Sequence, residues 1–89
     1  MVFYEVKQIN LTESIYQTHY FGENYDYALK KLVDIATWKA GSTDIIILSV
    51  YGHTDYPSPY ALVHFEHGQF FLHIWNGKKT QINEFNPTF

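Results

Sequence analysis

The chain has 89 residues, 46% hydrophobic and only 17% charged, a balance that excludes intrinsic disorder and leaves room for one domain, residues 1–89, around one core. Cysteine is absent, which excludes a disulfide framework, a thiolate nucleophile and any zinc site built on sulfur. The net charge is −3 and all six basic residues are lysines, so no guanidinium is present to fork onto a guanine or lie flat on a base, and nucleic-acid readout is disfavoured.

Residues 2 to 9 alternate, with Val2, Tyr4 and Val6 against Phe3, Glu5, Lys7 and Ile9, and predict a strand. Residues 14 to 21 are rich in β-branched and aromatic types and predict its hairpin partner. A rival reading over residues 11–20 is a short helix capped by Asn10, with Glu13 at the third helical position. Met1–Glu5 carries no basic segment leading into an apolar one, and no run reaches membrane-spanning length, so the expectation is a cytoplasmic protein without membrane contact.

Between Gly22 and Gly41 the apolar residues Tyr25, Ala28, Leu29, Leu32, Ile35 and Ala36 recur with a period of about 3.6, which predicts a helix. Asn24 caps its start, Asp26 sits in the first turn, Lys39 is expected in the last turn, and Gly41 supplies the left-handed stop. Trp38 is expected to bridge the helix end and the sheet edge. The unbroken run Ile45–Leu48, inside a strand from Asp44 to Tyr51, lacks alternation and points to a central strand. Pro57 and Pro59 then interrupt any ladder, and Gly52, Asp55 and Ser58 supply turn chemistry.

The segment Tyr60–Trp75 separates two unlike faces. With His67-Gly68 as a two-residue turn, Ala61, Val63, Phe65, Phe70, Leu72 and Ile74 fall on one uniformly apolar side. Tyr60, Leu62, His64 and Glu66 fall on the other, opposite Trp75, His73, Phe71 and Gln69. That side is too aromatic for a solvated face and too polar for a core, and it reads as a contact surface. Asn76-Gly77 starts another hairpin. The expected connection is a three-residue loop absorbing Lys78, which places Thr80 and Ile82 on the core side and Lys79, Gln81 and Asn83 beside His73 and Trp75; a two-residue loop would instead point Lys79 and Gln81 inward. The residues from Asn86 onward fray unless Phe89 docks.

The expected fold is therefore α+β: a single two-layer domain, a mainly antiparallel sheet with one helix packed on one face, in the order β-β-α-β-β-β-β. One helix covers one face, and the other stays open.

Five histidines invite a metal reading, and His64 and His73 are diagonal neighbours near Glu66. His64 and His67 point to opposite faces of a strand, so the ligand set is incomplete and no metal or cofactor is expected. His53 and Asp55 in the proline loop, with His64 and Glu66 nearby, are the acid–base candidates, but no serine elbow or glycine-rich phosphate cradle accompanies them, and the chain is read as a non-enzyme.

The expected function is a protein-binding module, its contact residues Tyr60, Leu62, His64, Phe71, His73, Trp75 and Lys79 on the sheet with Tyr51, His53, Asp55 and Tyr56 around the loop. Abundant Ile, Asn, Lys, Tyr and Phe without Arg is the usage of an AT-rich coding sequence, as in low-GC bacteria and their phages, and suggests an inhibitor of a host protein encoded by a phage or mobile element. The alternatives are a single-stranded nucleic-acid or nucleotide binder that stacks bases on Tyr60, Phe71 and Trp75, and a homodimer that buries the open face against itself.

Overall fold

The hairpin predicted at the start of the chain is present as β1 (Phe3–Asn10) and β2 (Ile15–Gly22) in the computed structural model, which describes residues 1–39 and 41–88. The capping contact of the rival helix exists, but it serves a turn. Asn10 Oδ1 accepts the Glu13 amide at 3.0 Å and closes the Leu11–Ser14 connection, while the flanking β-branched and aromatic residues keep both arms extended.

Helix α1 (Tyr25–Trp38) starts where Asn24 Oδ1 accepts the Tyr27 amide at 2.9 Å, and it buries Ala28, Leu32, Ile35 and Ala36. Lys39 is the C-cap residue and lies outside the last turn, and Gly41, at φ +90, takes the left-handed conformation past the end. Trp38 does not bridge to the sheet. It is 74% exposed, with the Lys39 ammonium 4.6 Å from its ring centroid, because its position lies about a quarter turn away from the buried stripe.

Four further strands follow: β3 (Ile45–Tyr51), β4 (Tyr60–Glu66), β5 (Gln69–Trp75) and β6 (Thr80–Glu84). The six-stranded sheet runs β2-β1-β3-β4-β5-β6 with every neighbouring pair antiparallel, so the Ile45–Leu48 run is central as expected. Helix α1 packs chiefly on β1, β2 and β3. Between them lie Val6, Leu32, Ile46, Leu48 and Val63, all fully buried, and each such aliphatic side chain contributes about 1.5–3 kcal/mol.

One end of this core is polar. Asp44, 4% exposed, accepts a hydrogen bond from Asn10 Nδ2 at 2.6 Å and another from Gln8 Nε2, and Asn10 Nδ2 also reaches Thr43 Oγ1 at 3.1 Å. These bonds satisfy the buried carboxylate and tie the start of β3 to β1. They also hold the Asp44 carboxyl below its ordinary value, the Asn10 contact contributing most and the Gln8 contact next.

Two strand details differ from the sequence reading. The β4–β5 ribbon pairs as predicted from Glu66↔Gln69 to Val63↔Leu72. Beyond that a register shift on β4 leaves Leu62 unpaired with β3, with Leu48 opposite Val63 and Ser49 opposite Ala61. One extra residue inverts the alternation. Tyr60 therefore pairs with Val50 on the helix side and is buried, and Leu62 packs against the core, so neither belongs to the open face. Ala61 takes the place expected of Tyr60.

The last hairpin has an even loop. Trp75 pairs with Thr80 and His73 with Ile82, while Gln81 and Asn83 pair with Ile74 and Leu72. Asn76 Oδ1 accepts the Lys79 amide at 3.0 Å and the Asn76 amide donates to the Lys79 carbonyl at 3.3 Å, which fixes a loop of residues 76–79 and puts Ile82 on the open face. The three-residue loop expected from the sequence would keep Gln81 out of the core, but β6 lies beyond the helix and is exposed throughout, so the inward position costs nothing. After β6, the Phe85 amide donates to the Phe70 carbonyl at 2.9 Å and its ring packs against the core edge. The docking of Phe89 lies outside the described residues.

Candidate functional site

The bulge and the even loop divide the expected contact residues between the two sides of the sheet. On the open face the alternation of β5 presents Phe71, His73 and Trp75, β4 adds His64 and Glu66, and β6 adds Ile82. Ile82 is 53% exposed, and the sequence reading missed it because its face hangs on the length of a loop. The His64 ring stacks on Phe71, centroids 4.9 Å apart with planes at 22°, and its Nδ1 lies 2.6 Å from His73 Nε2. His64 Nε2 lies 3.6 Å from a carboxylate oxygen of Glu66. Burial pushes both imidazoles below their ordinary value; the Glu66 charge partly opposes this at His64, and His64 adds to it at His73. In the neutral pair, one ring nitrogen donates and the other accepts.

The β1–β3 part of the open face is a closed polar network. The buried Glu5 carboxylate accepts the Tyr51 hydroxyl at 2.6 Å and the Thr18 hydroxyl at 3.1 Å, with Lys7 Nζ at 3.3 Å. The Glu5 hydrogen bond is the main cause raising the Tyr51 hydroxyl above its ordinary value, since ionising it would place two negative charges together. Hydrogen bonding to Tyr16 and then to Glu5 raises Lys7 against the opposing effect of burial. Phe21 stacks on Phe3, centroids 5.3 Å apart, and tilts against Tyr51 at 5.8 Å, so a second aromatic group flanks this network.

The rest of the expected set lies elsewhere. The loop following β3 turns at Gly52, whose φ of +78 and contact with the Met1 carbonyl oxygen leave no room for a Cβ. His53 and Tyr56 meet edge to face at 4.8 Å, Tyr56 stacks on Tyr60 at 5.1 Å, and the edge of Trp75 reaches Tyr60 at 5.8 Å. His53 Nδ1 accepts the Asp55 amide at 3.1 Å, so Asp55 contributes its backbone and the carboxylate does not pair with the ring. His53, Tyr56 and Leu62 line a groove of about 360 Å³ together with Tyr4, Tyr25 and Leu72, beside the start of α1. Lys79 sits exposed in the β5–β6 loop.

The site therefore comprises an open-face strip of Phe71, His64, His73, Trp75 and Ile82, and an aromatic groove under the proline loop that adjoins it through His73 and the Trp75–Tyr60 contact. Among the described residues, no three of His, Asp and Glu gather as a metal-ligand set, and no helix is long and apolar enough to cross a membrane. Comparison with protein-family models, curated proteins and solved structures gave no match.

Proposed function

We propose that this chain is a non-enzymatic protein-binding module, acting in the cytoplasm, that inhibits a host protein by covering part of its surface, as a phage or mobile element would use it. The observation that carries the reading is the strip of Phe71, His64, His73, Trp75 and Ile82 on the sheet face that α1 leaves uncovered. Such a strip has the composition of an interface centre: aromatic rings, an exposed aliphatic residue and neutral imidazoles, with Glu66 and Glu84 at its rim. It fits a partner presenting an apolar protrusion bordered by lysine or arginine. The polar groups nearby bond to one another, Glu5 to Tyr51 and Thr18 and His64 to His73, which favours recognition over acid–base chemistry.

Complete burial of Phe71 at such an interface contributes on the order of 2 kcal/mol. An affinity pull-down from the native host, repeated with Phe71→Ser and Trp75→Ser, tests the reading. Loss of the captured protein with Phe71→Ser is the expected outcome, while capture that survives both changes but fails with Tyr56→Ala would move the site to the groove. Sedimentation showing a dimer that Phe71→Ser dissociates would identify the partner as a second copy.

A further inference from the structure

We propose that two copies of this chain join edge to edge through β6 into one continuous antiparallel sheet, related by a two-fold axis at Ile82. The inference concerns the rim of the sheet and is independent of the open-face strip. In the β5–β6 loop the Asn76 amide donates to the Lys79 carbonyl, and past the other end of the hairpin the Phe85 amide donates to the Phe70 carbonyl. Bonded pairs alternate along an antiparallel ladder, so with the register Trp75↔Thr80 to Phe71↔Glu84 it is Gln81 and Asn83 that bond to β5. Thr80, Ile82 and Glu84 direct their N–H and C=O groups outward, where no strand lies among the described residues.

Sheet edges that stay single are blunted by lysine, proline or a bulge. The other edge, β2, follows this rule: its register with β1 shifts between Val6 and Lys7 and leaves His19 without a partner. In β6, by contrast, all 5 residues are exposed, the register runs without a shift, and neither lysine nor proline occurs. The order of residues in β6 is complementary to its own reverse, which selects a second copy as the occupant. Antiparallel pairing with Ile82 opposite Ile82 places Thr80 opposite Glu84 and Gln81 opposite Asn83. Every outward residue of both copies then bonds, giving about six new backbone hydrogen bonds. On one face the two Ile82 side chains, each 53% exposed in the single chain, meet at the axis between threonine–carboxylate pairs, and on the other face carboxamide meets carboxamide. The ends attract as well, because Glu84 closes one end of β6 and Lys78-Lys79 precede the other. Antiparallel pairing brings each acidic end to a basic one, whereas parallel pairing would oppose like charges. So short an edge buries less than a standard interface, which sets the Kd at about 10–100 µM.

Sedimentation equilibrium of the intact chain at up to about 500 µM tests the proposal without any host protein, so its failure is distinct from failure of the pull-down. The expected result is a dimer that Phe71→Ser leaves intact and that Ile82→Lys, which sets two ammonium groups across the axis, weakens about tenfold or more. Because Ile82→Lys could disturb the hairpin, the exposed end charges give a second readout. Chains with Glu84→Lys, and chains with Lys78→Glu and Lys79→Glu together, should each self-associate less than wild type, and mixing the two should restore pairing as a heterodimer. A monomer at the highest concentration, whatever foreign strand the edge then accepts, would overturn the proposal. So would a dimer that Phe71→Ser dissociates, or charge variants that pair no better mixed than alone.

Discussion

Replacing Asp44 by alanine should destabilise the fold by about 3 kcal/mol at neutral pH, and the value follows from the partners left behind. The carboxylate accepts from the side chains of Gln8 and Asn10, which are 3% and 4% exposed. Hydrogen bonds to a buried charge contribute about 1.5–3 kcal/mol each, and an orphaned buried donor adds its own desolvation cost. Asn10 Nδ2 keeps Thr43 Oγ1 as an acceptor, so its loss is partial, whereas Gln8 Nε2 loses its carboxylate acceptor outright, its Oε1 remaining with His19 at 2.8 Å. That places the sum at about 3 kcal/mol, the upper end for one such bond and the lower end for two. Asp44→Asn preserves shape, but at most one of its terminal atoms can accept, and it should cost about 2 kcal/mol.

The pH dependence supplies an independent check. Asp44 titrates below its ordinary value of 3.8 in the folded chain, so the unfolded chain binds the proton more readily. Its contribution is complete above 3.8 and disappears as pH falls through the lower folded value. Urea unfolding of wild type and Asp44→Ala at about pH 7 and about pH 2.5 should show the gap narrowing in acid, with unchanged slope. A gap under about 1 kcal/mol at neutral pH, or one equally wide in acid, would refute the claim that a charged acceptor organises this end of the core.

Asn24→Ala removes the acceptor of the Tyr27 amide and should cost about 1 kcal/mol in thermal or urea unfolding, with Asn24→Asp recovering most of it. Gly52→Ala should destabilise by about 1–3 kcal/mol, since a methyl group at φ +78 meets the Met1 carbonyl oxygen, and its denaturation midpoint reports the change. Tyr60→Phe should change unfolding free energy by less than about 1 kcal/mol, because the buried hydroxyl has no hydrogen-bond partner among the described residues and its ring contacts remain. Trp38→Ser should leave urea stability within about 0.5 kcal/mol, since the ring is exposed and covers no core residue.

The architecture was readable from the chain because its signals are local and repeated. The 3.6-residue stripe from Tyr25 to Ala36, the Asn24 cap and the unbroken Ile45–Leu48 run each report burial on one side or two, and the element order follows from them. His67-Gly68 likewise fixes the near half of the β4–β5 ribbon, and with it the meeting of His64 and Phe71. Tertiary structure decided the faces. Alternation carries only parity, so one bulged residue at Leu62 moved Tyr60 to the helix side, and a loop one residue longer than expected moved Ile82 to the open side. Neither shift changes composition or periodicity within a strand. Each is set by what the neighbouring strand and the short helix can cover, a property of the assembled layers that no stretch of the chain contains by itself.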